Sequence, residues 1–374
     1  MSKENKKHNA FNSIVTTLCL LIIIVLIGYT IINNYLEKKF NKIVQVSINT
    51  DVESLGIIEN TTSKSGVPSN FRNILFLGSD SQRDDFGEDC RTDCIIICSI
   101  NKDTNKVNVF SIYRDTYLQM ETSRPLEDLK KYKVVTDSTD ENGKSIVYDK
   151  ANSAFYDGVQ NTIKTINTNL DLNISEYALV TFSGVCDMVD AVGGIDITID
   201  NEELKYINGY ISNVSKVTGK TGNKITKTGT IHMDGVQACS YCRIRYTDGR
   251  DMKRAERMRT VLEKVVSKLK TMSIGDINAF LDEVLDDFQT NISVKEIKSL
   301  IPTALSSEIE SSFGWPYENA GIWQNNNFYG PAKTTESNVK KLHVELFGQE
   351  DYEVPEKVVS ISNRIVEITG VGKE

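Results

Sequence analysis

Between Ile14 and Ile32 the chain runs for nineteen residues without a charge, IVTTLCLLIIIVLIGYTII, and this stretch constrains how everything after it can be arranged. Wound as a helix it would extend about 28 Å, the depth of a bilayer's hydrocarbon core. The residues that follow, Asn33-Asn-Tyr-Leu-Glu37, lack the small-residue site at which a cleavable leader is cut, so the span reads as a retained anchor. Lys3, Lys6 and Lys7 on one flank are matched by Lys38, Lys39 and Lys42 on the other, so charge alone leaves orientation open. No second apolar run of that length occurs, which puts the chain beyond residue 32 on one face of the membrane. The organisation follows: a tail (1–13), a transmembrane helix (14–32), a polar stalk (33–70), one folded domain (71–348) and a C-terminal extension (349–374). In the extension, Val354 to Val366 alternates enough to read as a further strand.

Inside the domain, Asn73 to Leu77, closed by Gly78, is a short apolar run, Cys94 to Ile100 is another, and Val107 to Ile112 alternates with period two. The second and third are joined by the turn-rich Asn101-Lys-Asp-Thr-Asn105 and should pair antiparallel. With the first strand parallel to the third, one sheet edge collects Asp80, Arg91, Asp93, Arg114 and Asp115. A polar, insertion-like segment spans about Ser123 to Tyr148. Then helix patterns (Ala151 to Leu170, Gly184 to Val192) alternate with strands (Glu176 to Phe182, Gly194 to Ile199), and four helices follow: Asp251 to Met272, Ile274 to Phe288, Val294 to Leu305 and Glu336 to Phe347. Such alternation gives an α/β (α+β) fold, a mixed sheet sandwiched by helices.

The chain carries a formal net charge of −8, yet Arg243 to Arg259 packs seven basic residues against three acidic ones. Arginine's planar fork of donors matches phosphate or carboxylate oxygens two at a time. In the helix starting at Asp251, Met258, Leu262, Val265 and Leu269 form an apolar stripe that Arg254 extends by one turn, so Arg254 should point inward. With Arg243 and Arg245 it would form a cup of guanidinium groups, whereas Arg259 and Glu263, four apart, read as a solvated surface pair. Asp80 and Asp93 on the facing sheet edge could hold a hard divalent cation, which joins acid to phosphate and makes pyrophosphate the best-suited ligand. The bland readings are a solvated charged face, or buried ion pairs between these arginines and aspartates. Only three histidines occur, His8, His232 and His343, so neither a Ser/His/Asp triad nor an HExxH zinc site assembles. Overall acidity and the anchor argue against nucleic acid. Of seven cysteines, Cys19 lies in the span, and Cys239-Ser-Tyr-Cys242 lacks a second ligand pair for zinc.

At these positions the chain resembles the LytR-CpsA-Psr family of membrane-anchored cell-wall ligases. Asn73 to Asp80 (NILFLGSD), Arg91-Thr-Asp93, Ser111 to Thr116 (SIYRDT), Lys150 to Phe155 (KANSAF), Phe182 to Ile195 and Gly235 to Arg257 are similar to six of its motifs, in the family's order. The resemblance implies a transferase, embedded in the cell membrane by a single pass with its C-terminal domain outside. Its partners would be a polyprenyl-pyrophosphate-linked glycopolymer, such as teichoic acid or capsule, and peptidoglycan, with no nucleic acid. It further implies that Arg91, Arg114, Lys150, Arg243, Arg245 and Arg254 grip the pyrophosphate and that Asp80 and Asp93 hold Mg²⁺ or Mn²⁺. Arg114 would act in catalysis, and Asp115 or Asp251 would assist the acceptor hydroxyl, a choice the sequence leaves open. Tyr113 replaces the family's proline, Lys253 a small residue, and Met258 a glutamine, changes that bear on substrate more than on reaction. A polyprenyl-pyrophosphate phosphohydrolase and a non-catalytic lipid-phosphate-binding regulator remain the alternatives.

Overall fold

The computed structural model describes residues 34–59, 64–87, 91–139 and 143–373; the expected membrane span, Cys19 and Cys90 lie outside them. Among the described residues no helix is long and apolar enough to cross a membrane. The chain divides into two units at residues 43 and 44. In the first, residues 34–40 are helical.

In the second, the strands in chain order are β1 (Val44–Gln45), β2 (Phe71–Ser79), β3 (Thr92–Asn101), β4 (Lys106–Ile112), β5 (Tyr117–Thr122), β6 (Val135–Thr139) and β7 (Ser145–Lys150). They continue as β8 (Glu176–Val180), β9 (Ile195–Ile199), β10 (Gly229–Met233), β11 (Phe288–Thr290), β12 (Glu308–Trp315), β13 (Ile322–Gln324) and β14 (Asn327–Tyr329). Seven form the central mixed sheet in the order β1-β11-β8-β2-β3-β4-β12. β3 pairs antiparallel with β2 on one side and with β4 on the other, so β2 and β4 run the same way, the arrangement supposed for the sheet edge.

Side chains alternate across this sheet and fill two different interiors. Leu75, Leu77, Ile95, Ile97 and Phe110 face a solid core with Ile163 and Ile166 of helix Gly158–Leu170 and Leu342 and Leu346 of helix Thr335–Phe347. Each such residue, fully removed from water, stabilises the fold by roughly 1.5–3 kcal/mol. Phe76, Gly78, Cys94 and Ile96 face the other way, toward helices Phe182–Ala191, Gly235–Cys242, Arg250–Leu269 and Ile274–Val284. β5, β7 and β6 form a separate small sheet, and β13 and β14 a hairpin.

Three sequence expectations are corrected. Much of the expected stalk is wall of the domain: β1 extends the central sheet, Leu55 is buried in its core, and Ile57, Ile58 and Val67 pack against that core. The insertion-like segment carries helix Leu126–Lys131, β6 and most of β7. Val354 to Val366 is no strand; helix Glu356–Thr369 buries Val358, Ile361, Ser362 and Ile365, a helical spacing that the local alternation concealed. Arg259 is not a surface residue, since only 7% of it is exposed and it donates to Ser111 of β4 at 2.7 Å and to Ser312 of β12 at 3.1 Å.

Candidate active site

The sheet edge delivers its acids and bases by register. β2 ends just before Asp80, and a shift in pairing between Gly78 and Ser79 sets Thr92 opposite Ser79, placing Asp93 beside the strand's end. β4 ends just before Arg114 and Asp115, and β7 ends on Lys150. From the other side, Arg243 caps helix Gly235–Cys242, Arg245 lies in the loop beyond it, and Asp251 and Arg254 open helix Arg250–Leu269. That helix begins at Gly249 with no side chain capping its first amides, a start favourable to anions.

Asp93 is the centre of the cluster. Its carboxylate meets Arg114 Nη1 at 2.7 Å, Arg245 Nη2 at 2.5 Å and Arg254 Nη2 at 2.6 Å. Burial raises its pKa, but the guanidiniums of Arg254, Arg114 and Arg245 outweigh that and hold the carboxyl well below the usual range. Arg114 also meets Asp251 at 3.4 Å and Asp115 at 3.7 Å, and Lys150 Nζ meets Asp115 at 2.7 Å. Burial pushes the Asp251 carboxyl up, with Asp115 and Asp93 adding to it and Arg254 and Arg114 opposing. The Asp80 carboxyl is raised by burial and then by Asp93, against the pull of Arg243, Arg245 and Arg254.

Buried ion pairs of this kind are one of the bland readings, yet the pairs do not use every donor. Nε of Arg254 is buried with no hydrogen-bond partner, while Arg114 Nε and Arg254 Nη1 face Asp251 at 3.4 and 3.8 Å without forming a hydrogen bond. An unmet buried donor costs about 1–3 kcal/mol, and an anion seated among these would satisfy it. The inward arginine expected from the apolar stripe is therefore in place: Arg254 is 2% exposed.

Not every basic residue of the run joins in. Arg243 reaches Asn213 at 2.7 Å, stands 3.7 Å from Asp80 and lies over the Phe182 ring. Arg257, by contrast, is locked in a structural pair with Glu203 at 2.8 Å and also donates to Ile244 and Thr247. Arg91 turns away from the cup, donating to Tyr156 Oη at 2.8 Å. Tyr113, the departure from proline, lays its ring against Gly314 of β12, where an added Cβ would fall 2.1 Å from its hydroxyl oxygen.

Two spaces open from the cup. One, of about 450 Å³, is rimmed by Tyr206, Tyr210, Asn213 and Tyr246. The other, of about 280 Å³, is walled by apolar side chains, among them Phe76, Phe182, Met258, Leu262, Val265 and Phe280, with Asp80, Asp93, Arg243 and Arg254 also lining it. Met258 and Leu262 of the expected apolar stripe face this hollow. Cys94, Cys239 and Cys242 line it too, as free thiols, and no group of three or more His, Cys, Asp or Glu able to hold a metal occurs among the described residues. Sequence reasoning missed a third space, beside Lys150, because Arg124, Tyr132, Tyr156 and Tyr329 belong to no motif.

The model of the LytR_cpsA_psr family matches residues 34–344 of the chain. The polyisoprenyl-teichoic acid–peptidoglycan teichoic acid transferase TagU of Bacillus cereus (strain AH820) is 29% identical over 73% of this chain and 79% of its own length. TagT of Bacillus subtilis (strain 168), a transferase of the same description, is 26% identical over 67% of this chain and 70% of its own. Among solved structures, YwtF (TagT) with bound octaprenyl pyrophosphate lipid shares the fold, with a TM-score of 0.53 at 20% identity, covering 83% of this chain and all of that one.

Proposed function

Because the chain belongs to the LytR-CpsA-Psr family, we propose that it transfers a glycopolymer from a polyprenyl-pyrophosphate lipid to a peptidoglycan hydroxyl, forming a phosphodiester. One observation carries this reading: Arg254, with guanidinium nitrogens that make no hydrogen bond, lines both the apolar hollow and the Tyr-rimmed space beside it. A diphosphate with a hydrocarbon tail is the ligand that satisfies both. Arg114, Arg243, Arg245 and Arg254 hold the diphosphate oxygens, while the tail lies along Met258, Leu262 and Val265.

The acceptor oxygen attacks the phosphorus that carries the glycan, and the bond from that phosphorus to the lipid phosphate breaks. Lipid monophosphate leaves, and the acceptor's proton passes to a carboxylate. Asp251 suits that role better than Asp115, since burial makes its carboxyl more basic and its Oδ2 is oriented by the Arg114 amide at 3.1 Å. Asp115 instead orients Lys150. The fixed guanidiniums neutralise charge that builds on the phosphoryl oxygens as the bond breaks, the main service a protein renders in this chemistry.

Asp80 and Asp93 offer hard oxygens to a divalent cation, and the Asp80 carboxyl, raised by burial and then by Asp93, is one whose charged form a cation would favour. Mg²⁺ or Mn²⁺ held by these two carboxylates would draw charge from the diphosphate. We place the enzyme at the cell membrane, anchored by residues 14–32, with its catalytic domain on the outer face.

The test is the full chain in lipid vesicles, given radiolabelled polyprenyl-pyrophosphate-linked glycan and peptidoglycan. Label joined to peptidoglycan, with one lipid monophosphate released per link, is the expected result. Free glycan phosphate without attachment would make the protein a phosphohydrolase.

A further inference from the structure

The third space, about 410 Å³ in volume, lies within the range of small-ligand sites. Its walls come from segments far apart in sequence. Arg91 and Arg124 stack on the Tyr156 ring, each 5.4 Å from its centre. Arg124 pairs with the buried Asp149 at 3.4 Å, and Lys150 Nζ stands 5.4 Å from the centre of the Tyr329 ring, contributed by β14. Helix Leu126–Lys131 and the turn after it add Asp128 and Tyr132, the latter 56% exposed. The platform is braced from behind: Ile361 and Ile365 of the C-terminal helix pack on Tyr117, Tyr148 and Tyr329, and Arg364 binds Asp137 of β6 at 2.6 Å.

We infer that this pocket binds the acceptor, a saccharide strand of N-acetylated hexosamines, and delivers its hydroxyl to the reaction centre. The inference rests on the transferase reading above. Three observations support it. First, the lining is amphoteric. The arginines, Lys150 and Asn327 donate, whereas Asp128 and Asp149 accept, and tyrosines supply ring faces. Sugar hydroxyls both donate and accept, and pyranose rings present an apolar C–H face. The phosphodiester groups of a donor polymer only accept, and Asp128 and Asp149 would oppose them.

Second, Lys150 belongs to both places, lining the pocket while its Nζ reaches Asp115 at 2.7 Å in the reaction centre. Third, the pocket shares no residue with the apolar hollow, whereas the Tyr-rimmed space shares Asp80, Asp93, Arg243 and Arg254 with it. In-line displacement at phosphorus requires the entering oxygen opposite the leaving one. A ligand approaching from the Lys150 side enters by a route that shares no lining residue with the hollow.

The experiment uses the full chain in nanodiscs, with Tyr132→Ala and Arg124→Ala as variants. Tyr132 projects into solvent, so its loss leaves folding intact. Calorimetric titration with a tetrasaccharide of alternating N-acetylglucosamine and N-acetylmuramic acid should show binding to the unmodified protein. Each variant should weaken it about tenfold and raise the acceptor KM by a similar factor, with donor KM unchanged. The inference is overturned if the unmodified protein binds no tetrasaccharide, if both variants bind it as tightly as the unmodified protein, or if the variants raise donor KM instead. Tetrasaccharide binding that both variants weaken upholds it even where no transfer is detected, in which case the transferase reading is what fails.

Discussion

The apolar hollow draws its walls from the central sheet and from helices that follow it in the chain, while the pocket beside Lys150 is pieced together from a small sheet, a hairpin and the brace of the last helix. Between them sits one cluster of arginines. The hollow is shaped by what it excludes, because apolar side chains set there recognise length and greasiness but little else. The pocket is shaped by what it pairs, with charges of both signs poised for a ligand of many hydroxyls. A transferase with this division would fix its donor through one generic feature, the tail, and leave discrimination to the pocket of mixed charge.

That division can be broken, and the hardest blow falls on the cluster itself. Arg114→Ala should lower kcat/KM for glycan transfer on the order of a thousandfold by removing a placed cation at the phosphorus. Full attachment activity with Arg114 gone would reduce the cluster to a structural knot. Filling the hollow comes next. Leu262→Trp should raise the KM for a long-chain polyprenyl donor about thirtyfold yet spare a donor with one or two isoprene units, as expected when only tail burial is lost. Equal loss with both donors would show that the hollow does not hold the tail.

Removing the brace tests the other side. Ile365→Ala deletes a side chain that is 2% exposed beneath Tyr329, and should cost about 2–4 kcal/mol of folding stability in a urea titration. In the fraction that stays folded it should raise acceptor KM but not donor KM. The smallest effect concerns pH. Burial, with Asp187 adding to it, pushes the Asp287 carboxyl up to about 6. Its folded pKa exceeds the unfolded one, so the native state holds the extra proton, and stability is lost as pH rises from about 4 through 6. Asp287→Asn should therefore stabilise the protein at pH 7 by about 1 kcal/mol, after allowing for solvent screening of a half-exposed group. That gain should vanish below pH 4 in thermal melts.

The two sides also differed in how far the sequence revealed them. Asp93, Arg114 and Arg254 lie at strand ends or a helix start, and Arg243 and Arg245 at a helix end and in the loop after it, where motif spacing marks them. Arg254 was legible because it continued an apolar stripe. Arg259 was misread because Glu263 four residues on mimics a solvated pair, while its true partners, Ser111 and Ser312, come from strands distant in sequence. Arg91 sits in a motif, but its side chain turns to Tyr156, a contact that no one-dimensional pattern encodes. The last helix was hidden because Val354 to Val366 satisfies period two nearly as well as 3.6, and packing on Tyr329 and Tyr117 decides between them. The stalk was misjudged because Leu55 to Ile58 is too short an apolar patch to announce that it plugs a core.

The ring of Tyr113 lying on bare Gly314 has a consequence for how such a chain can change. The two positions are yoked: alanine at 314 collides with the phenol, so the ring of residue 113 must shift or shrink before 314 can grow. A lineage leaving proline for tyrosine at the strand's exit could take that step only where the neighbouring strand already carried no side chain, and having taken it, the neighbour is no longer free to gain one.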